Sequence, residues 1–321
     1  MSPEYLIPQE EKKFEVGVSR HAPKVEKSGE IVDVSTQEVD EESAKQEIEH
    51  RTRFVLDNLE QAPTGTVLAF EPSNVKRSEQ TRGLFIDKLK ELLGERDDIK
   101  IVEIGENREA ANKTLDRIRN EPEKKYIIAD LRGTWLIGFK NDESFIPTFM
   151  AWKNKLKGDE NLLGKVWAAH KDEITSVAEE LGTKGIDISA GEIDPKKFQS
   201  TPEEQVLRFV KWIQAIKKIG TSYFPNRSLI LEGISHNLRS DYTTLALLGE
   251  DISVESINRV LGGEFRKPFE RSSIIFEENG NVKIRYREIE KSYSLEEFEE
   301  VVKSIREKLN ARKNEWAESN F

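Results

Sequence analysis

The sequence predicts an α/β fold, a three-layer sandwich in which a mostly parallel central sheet lies between layers of helices. Three observations support this prediction. Short apolar runs such as TGTVLAFEPS are typical of buried strands, and amphipathic runs such as RSEQTRGLFIDKLKELLGE are typical of helices. The two kinds of segment alternate along most of the chain, as they do around parallel sheets. RSLILEGISHN is almost continuously apolar, which is typical of a strand covered on both faces.

The first part of the chain contains four predicted strands and three predicted helices. Alternating Phe14, Val16 and Val18 indicate a strand over 14–19, and the polar region 25–40 is predicted to be a loop or an edge hairpin. Apolar runs and helical spacing then predict, in chain order, a helix over 40–61, a strand over 64–73, a helix over 77–95, a strand over 99–105, a helix over 108–120 and a strand over 125–131.

The later part begins with a mostly helical region. Residues 141–200 lie between strand units, and we expect them to form a helical cap insertion within a single domain that covers 1–321. A helix follows from Thr201, whose hydroxyl is a good N-cap, with Pro202 at its first position. The remaining predictions are a strand over 227–237, a helix over 241–249, a hairpin over 273–289 that turns at Asn279-Gly280, and a helix over 294–316.

Composition restricts the possible partners. The 321 residues carry a formal net charge of -10, which argues against broad binding to nucleic acid or to anionic membranes, since both need basic patches. No apolar run approaches the roughly 20 residues of a membrane span, and the first residues do not resemble a secretory signal. With no cysteine, disulfide and thiolate chemistry are excluded. We therefore expect a cytoplasmic protein; its oligomeric state is left open.

Three predicted strands end in side chains that suit phosphate. Arg20 and His21 follow the first strand, Arg77 follows the second, and His236 follows LILEGIS. Ligands of such sheets gather at the carboxyl ends of the strands. Arginine offers a planar fork of donors for phosphate oxygens, and a neutral histidine offers a nucleophilic nitrogen near neutral pH.

These motifs, in this order, resemble those of the histidine phosphatase superfamily, in the branch that includes cofactor-dependent phosphoglycerate mutases. Ser19-Arg20-His21-Ala22 is similar to the family's Arg-His-Gly signature, with alanine in place of glycine. The segment from Ser73 to Thr81 matches the second signature in spacing, in Arg77 and in Gln80-Thr81. Ser235-His236 matches the third. The resemblance extends from about residue 14 to the last helix, and it implies a phosphoglycerate mutase-like fold.

The resemblance also implies residue roles. His21 would accept the phosphoryl group, while Arg20, Arg77 and His236 would surround it and neutralise its oxygens. Lys24 would be a further phosphate contact. The partner would be a small phosphorylated substrate, and neither a metal nor another cofactor is implied. The leading interpretation is a phosphomonoester hydrolase with a phosphohistidine intermediate; a phosphomutase and a non-catalytic phosphate-binding or regulatory protein are the alternatives.

The general acid is the part of the pattern that matches least well. Glu106, in Ile104-Gly105-Glu106, is the nearest match to the acid of the mutase branch, and Asp130 is a rival. Asn237 stands where the acid phosphatase branch has an aspartate. We also weigh structural roles: Arg77 could be a solvated residue of a helix's first turn. The lysines of KNKLKG are expected to form a solvated face, with contact to an anionic substrate as the alternative.

Overall fold

The computed structural model describes residues 13–23, 38–73, 76–104, 108–131, 146–198, 200–235 and 237–318. In this part of the chain, eight strands form one sheet in the order β3-β4-β2-β5-β1-β6-β7-β8. The strands are β1 (Lys13–Arg20), β2 (Val67–Pro72), β3 (Ile99–Val102), β4 (Lys125–Ile128), β5 (Leu229–Ser235), β6 (Arg271–Glu277), β7 (Val282–Tyr286) and β8 (Ile289–Tyr293).

The sheet is mixed and mostly parallel. The pairs from β3 through β4, β2 and β5 to β1 are parallel, whereas β1–β6, β6–β7 and β7–β8 are antiparallel. The predicted hairpin is β6–β7, and Gly280 in its turn has φ +87°, a conformation that glycine adopts without strain. Strand β8 was not predicted, because most of its residues are exposed and leave little apolar alternation to detect.

Helices alternate with the parallel strands, as predicted. They are α1 (Glu41–Gln61), α2 (Lys76–Leu93), α3 (Arg108–Asn120), α4 (Ile146–Lys155), α5 (Glu160–Ala168), α6 (Ile174–Thr183), α7 (Pro202–Tyr223), α8 (Asn237–Leu247), α9 (Val254–Val260) and α10 (Leu295–Glu318). The Thr201 hydroxyl accepts from the Glu204 amide and caps α7, in agreement with the sequence. Helix α9 is short and was not predicted.

Apolar side chains cover both faces of the sheet, so the coarse prediction of an α/β fold with helices on either side is confirmed. On one face, Val16, Val18 and Val67 belong to the larger core cluster together with residues of α5, α7, α8 and α10. On the other face, Leu68 and Phe70 pack in a smaller cluster with residues of α1 and α2. Because strand side chains alternate between faces, β2, β4 and β5 each contribute to both clusters, whereas the apolar residues of β1 all belong to the larger one.

The described part of the 141–200 region is helical and shares the larger core. It consists of α4, α5, α6 and two short 3-10 helices, Ala190–Glu192 and Pro195–Phe198. Phe198 stacks against Trp152 of α4 and Trp167 of α5, and Trp167 meets Tyr242 of α8 edge-on. This aromatic packing fixes α4 and α5 relative to α8, the helix that follows β5.

Within the described residues, no helix is both long enough and apolar enough to cross a membrane.

Candidate active site

The carboxyl ends of three neighbouring strands lie at one edge of the sheet. Arg20, the last residue of β1, is the register partner of Ser235, the last residue of β5. Just beyond β2, the Ser73 amide donates to the Ile234 carbonyl at 2.8 Å. The predicted site residues of the described chain therefore follow strands that end side by side. His236 itself lies outside the described residues, as do Glu106 and Lys24.

His21 directly follows β1 and is buried. Its Nδ1 lies 2.9 Å from the carbonyl oxygen of Ala22. A carbonyl oxygen can only accept, so Nδ1 must carry the proton in this contact. In the neutral ring, Nε2 then holds the lone pair. The local geometry thus selects the tautomer in which Nε2 is the nucleophilic nitrogen.

The side chains of Gln80 and Thr81, from the second motif, hydrogen-bond to backbone groups. Thr81 Oγ1 accepts from the Ala22 amide at 3.0 Å and donates to the Arg77 carbonyl at 2.7 Å. Gln80 Oε1 accepts from the Val39 amide at 3.0 Å. Thr81 therefore links the backbone that follows His21 to the first turn of α2. The methyl group of Ala22, where the resembled motif has glycine, packs in the smaller apolar cluster.

Arg20 points into a polar cluster at this edge. Its Nη1 donates to the Arg266 carbonyl at 2.9 Å, and its Nη2 donates to the Glu160 carboxylate at 2.7 Å. Its Nε is buried without a hydrogen-bond partner within the described residues. Nη1 and Nη2 are thus bonded to the protein, and the Nε–H donor is still available to an acceptor.

Arg77 lies in the first turn of α2 and is only 2% exposed. Its side chain makes no hydrogen bond to any residue that the structure describes, and its Nε is fully buried. Removal from water lowers the pKa of Arg77 to about 10; nearby Glu160 opposes this shift, whereas nearby Arg20 adds to it. The guanidinium is nevertheless charged at neutral pH. The alternative that Arg77 is a solvated helix residue is wrong.

The cluster has two further members. Glu160 of α5 was not predicted, and Lys153 of α4 belongs to KNKLKG, where contact with an anion was only the alternative to a solvated face. Lys153 is buried, and its Nζ donates to Glu160 at 2.8 Å. Burial tends to raise the pKa of the Glu160 carboxyl, but Arg20, Lys153 and Arg77 outweigh it and hold that pKa at about 2. Glu160 is therefore ionised at any ordinary working pH. It acts as a counterion and is unsuited to donating a proton.

The expectation of a solvated face for KNKLKG is wrong for its first lysine. Phe149, Trp152, Lys153 and Leu156 recur at helical spacing, which places Lys153 on the apolar side of α4. That spacing is the signal that could have identified it, and Lys155 and Lys157 are exposed as expected. Glu160 gives no comparable signal, because an acidic residue in the first turn of a helix is common for reasons of helix stability.

The rival general acid lies within the described residues. Asp130 comes shortly after β4, and its carboxylate lies 3.7 Å from Nε of Arg82.

The two other described histidines have structural or surface positions. His170 bonds to Glu315 and Arg312, and His50 is exposed on α1. Within the described ranges, no three His, Cys, Asp or Glu side chains are grouped so that they could hold a metal ion.

Comparisons with known proteins add little. No protein-family model matches the chain. No curated protein matches it either. Among solved structures, the chain is similar to one titled "Mycobacterial hydrolase 1", with 12% sequence identity over 86% of this chain and 96% of that chain. The TM-score of that match is 0.30, which is too low to support an argument about fold or function.

Proposed function

We propose that the protein is a phosphomonoester hydrolase that works through a phosphohistidine intermediate on His21. The observation that carries the proposal is the Arg77 side chain, a buried cation with no hydrogen bond to any described residue. Leaving such donors unsatisfied is unfavourable, so this guanidinium is arranged to receive an anion. The phosphatase interpretation of the sequence supplies that anion.

Charge at the cluster favours a dianion. Arg20, Arg77 and Lys153 are cations, and Glu160 is the carboxylate that acts on all three. Among these four described side chains, positive charges therefore exceed negative charges by two. A phosphomonoester carries about two negative charges at neutral pH, which matches this excess, whereas a phosphodiester carries only one. We accordingly propose a phosphomonoester substrate.

The proposed reaction has two displacements at phosphorus. Nε2 of His21 forms a bond to phosphorus as the bond to the ester oxygen breaks, and a general acid protonates the leaving oxygen. Water then attacks the phosphohistidine, the phosphorus–nitrogen bond breaks, and a proton returns to the acid. Arg20, Arg77 and, by the resemblance, His236 neutralise the phosphoryl oxygens in both steps. Residues 141–200 act as the cap, with Lys153 as its contribution to phosphate binding.

His21→Ala tests the nucleophile. Turnover of 4-nitrophenyl phosphate should fall by about 10⁴-fold or more, since the covalent route is lost. Incubation with a ³²P-labelled aryl phosphate followed by rapid quenching should label the wild-type protein with an acid-labile, alkali-stable bond, and the variant should show no label. His50→Ala, at the exposed histidine of α1, is the matched control. Turnover by His21→Ala at the wild-type rate, or label on another residue, would refute the proposal.

The same assay distinguishes the other interpretations. A phosphomutase would label His21 but return the phosphoryl group to product, so little inorganic phosphate would be released. A phosphate-binding protein would be stabilised by inorganic phosphate and would show neither label nor turnover.

The general acid is tested with two leaving groups. Glu106→Gln should slow hydrolysis of an alkyl phosphate by about 10²–10⁴-fold and that of an activated aryl phosphate far less, because the aryl oxygen leaves without a proton. Asp130→Asn is the comparison variant. If it shows this leaving-group dependence and Glu106→Gln does not, the role belongs to Asp130.

A further inference from the structure

A cavity of about 500 Å³ lies on the sheet face covered by α1, and it is lined by none of the cation-cluster residues Arg20, Arg77, Lys153 and Glu160. Its floor is formed by the beginning of β1 and by residues of β5, β6 and β7, while one side of α1 forms the wall. Cavities of this size are typical of sites for small molecules.

The charges of the floor compensate one another. Arg271 donates to Glu232 at 2.6 Å and to Glu15 at 2.8 Å, and Lys13 pairs with Glu15 at 3.2 Å. Arg271 lies flat over Gly17, where an added Cβ would come within 2.0 Å of the guanidinium. The floor is therefore a closed network of two cations and two carboxylates.

The α1 wall carries a cation, Arg51, that has no carboxylate partner within the described residues. Arg51 of α1 is partly buried, and its side chain makes no hydrogen bond within the described part of the chain. Removal from water lowers its pKa, although Glu232 partly opposes the shift. Besides Arg271, two more arginines line the cavity, and both have a carboxylate partner: Arg285 is bonded to Glu290 and Arg287 to Glu270.

Next to Arg51 the wall is apolar. Val55 and Leu59 follow it along the same side of α1, and the ring of Phe54 lies 5.2 Å from the Arg51 guanidinium carbon. Phe54 is 44% exposed and lines this cavity. The exposed ring of Phe54 offers a surface to an apolar group, and the poorly hydrated guanidinium of Arg51 beside it offers one to an anion.

We propose that this cavity binds a small organic anion, with its acidic group on Arg51 and its aromatic or aliphatic body against Phe54, Val55 and Leu59. The ligand class is an amphipathic monoanion. The cations of the floor are already neutralised by carboxylates, so among the described lining residues Arg51 is the cation without a hydrogen-bonded carboxylate. This site does not depend on phosphatase chemistry.

Two fluorescent probes of similar shape test the proposal. 8-Anilinonaphthalene-1-sulfonate carries an anionic group, and N-phenyl-1-naphthylamine has the same aromatic body without charge. Arg51→Met should weaken binding of the sulfonate by about tenfold, the usual effect of losing a hydrogen bond to a charged group, and should leave the neutral probe unaffected. Arg53→Met is the matched control, because Arg53 is exposed on the same helix and pairs with Glu49.

Other variants locate the probe. Phe54→Ser should weaken both probes, while Arg77→Met should change neither, with urea denaturation confirming that every variant is folded. Failure of the wild-type protein to bind the sulfonate more tightly than the Arg51→Met protein would overturn the proposal. Loss of binding in Arg77→Met would also overturn it, by placing the probe in the phosphate cluster.

Discussion

Arg266 and Arg77 are two arginines buried to the same degree, and they differ in what surrounds them. Arg266 is 0% exposed, and its Nε donates to Asp241 at 2.8 Å, its Nη1 to the Val18 carbonyl at 2.6 Å and its Nη2 to Thr244 and Ser272. Arg77 is 2% exposed, and its side chain makes no hydrogen bond to a described residue. Burial alone therefore does not mark a functional arginine.

We interpret the difference as that between a structural cation, Arg266, and a proposed binding cation, Arg77. A buried charge is tolerated when it is paired and fully hydrogen-bonded, and Arg266 meets this requirement within the protein. Arg77 does not meet it within the described residues, and we propose that an anion from outside supplies the missing partner. The cluster around Arg77 also contains more cations than carboxylates, whereas Arg266 is neutralised by Asp241, which is itself fully buried.

Arg266→Met should have the largest effect on stability. It leaves the buried Asp241 carboxylate without its cation, which typically costs about 3–5 kcal/mol in the free energy of unfolding. Urea denaturation measures this loss. Arg259→Met, which breaks the exposed pair with Glu250, is the control and should cost no more than about 1 kcal/mol. Equal losses in both variants would mean that Arg266 is not the structural cation described above.

Arg77→Met should affect activity instead. We expect kcat/KM for 4-nitrophenyl phosphate to fall by about 10²–10³-fold, as when one charge-stabilising donor is removed. The free energy of unfolding should stay the same or rise, because a desolvated cation without hydrogen bonds is removed. Lys90→Met, on the exposed side of α2, controls for the change on this helix. A loss of stability as large as that of Arg266→Met would make Arg77 structural.

Lys153→Met should have an intermediate effect. Since it removes one cation from the cluster, we expect inorganic phosphate to bind about tenfold more weakly. Isothermal titration measures the affinity, and Lys155→Met, at an exposed position of α4, is the comparison. If both variants bind phosphate as the wild-type protein does, α4 makes no contribution to the phosphate site.

Glu160 should produce an effect that is absent near neutral pH and appears only in acid, a dependence of stability on pH. Its pKa is about 2 in the folded protein and 4.5 ordinarily, so its contribution is complete above pH 4.5 and is lost as the pH falls toward 2. Between pH 5 and pH 3 this amounts to about 2 kcal/mol in the free energy of unfolding. Urea midpoints of the wild type should decrease over this interval by more than those of Glu160→Gln. Parallel decreases would show that other groups cause the acid sensitivity.

The order of strands and helices was largely predictable, because each relies on a local pattern. The alternation in β1, the capping of α7 by Thr201 and the Asn279-Gly280 turn were each read from a few neighbouring residues. Strand β8 was missed because it is an edge strand with mostly exposed side chains. Which strands would be neighbours, with β1 between β5 and β6, depends on contacts between distant segments and was not predictable in detail.

The site was predictable only in part. Arg20, His21 and Arg77 came from short motifs at strand ends, and Arg20 and Arg77 belong to one cluster. Lys153 and Glu160 come from a separate segment of the chain. Helical spacing could have indicated that Lys153 is buried, but no local pattern encodes the contact of Glu160 with Arg20.

The position of β1 has a consequence for biosynthesis. This strand is among the first described elements in the chain, but its two partners are β5 and β6, which extend from Leu229 to Glu277. A growing chain on the ribosome therefore leaves this apolar strand unpaired until β5 and β6 have been made. Pairing over such sequence separations is slow, and exposed strand edges promote aggregation. We expect nascent chains to depend on chaperones during this interval.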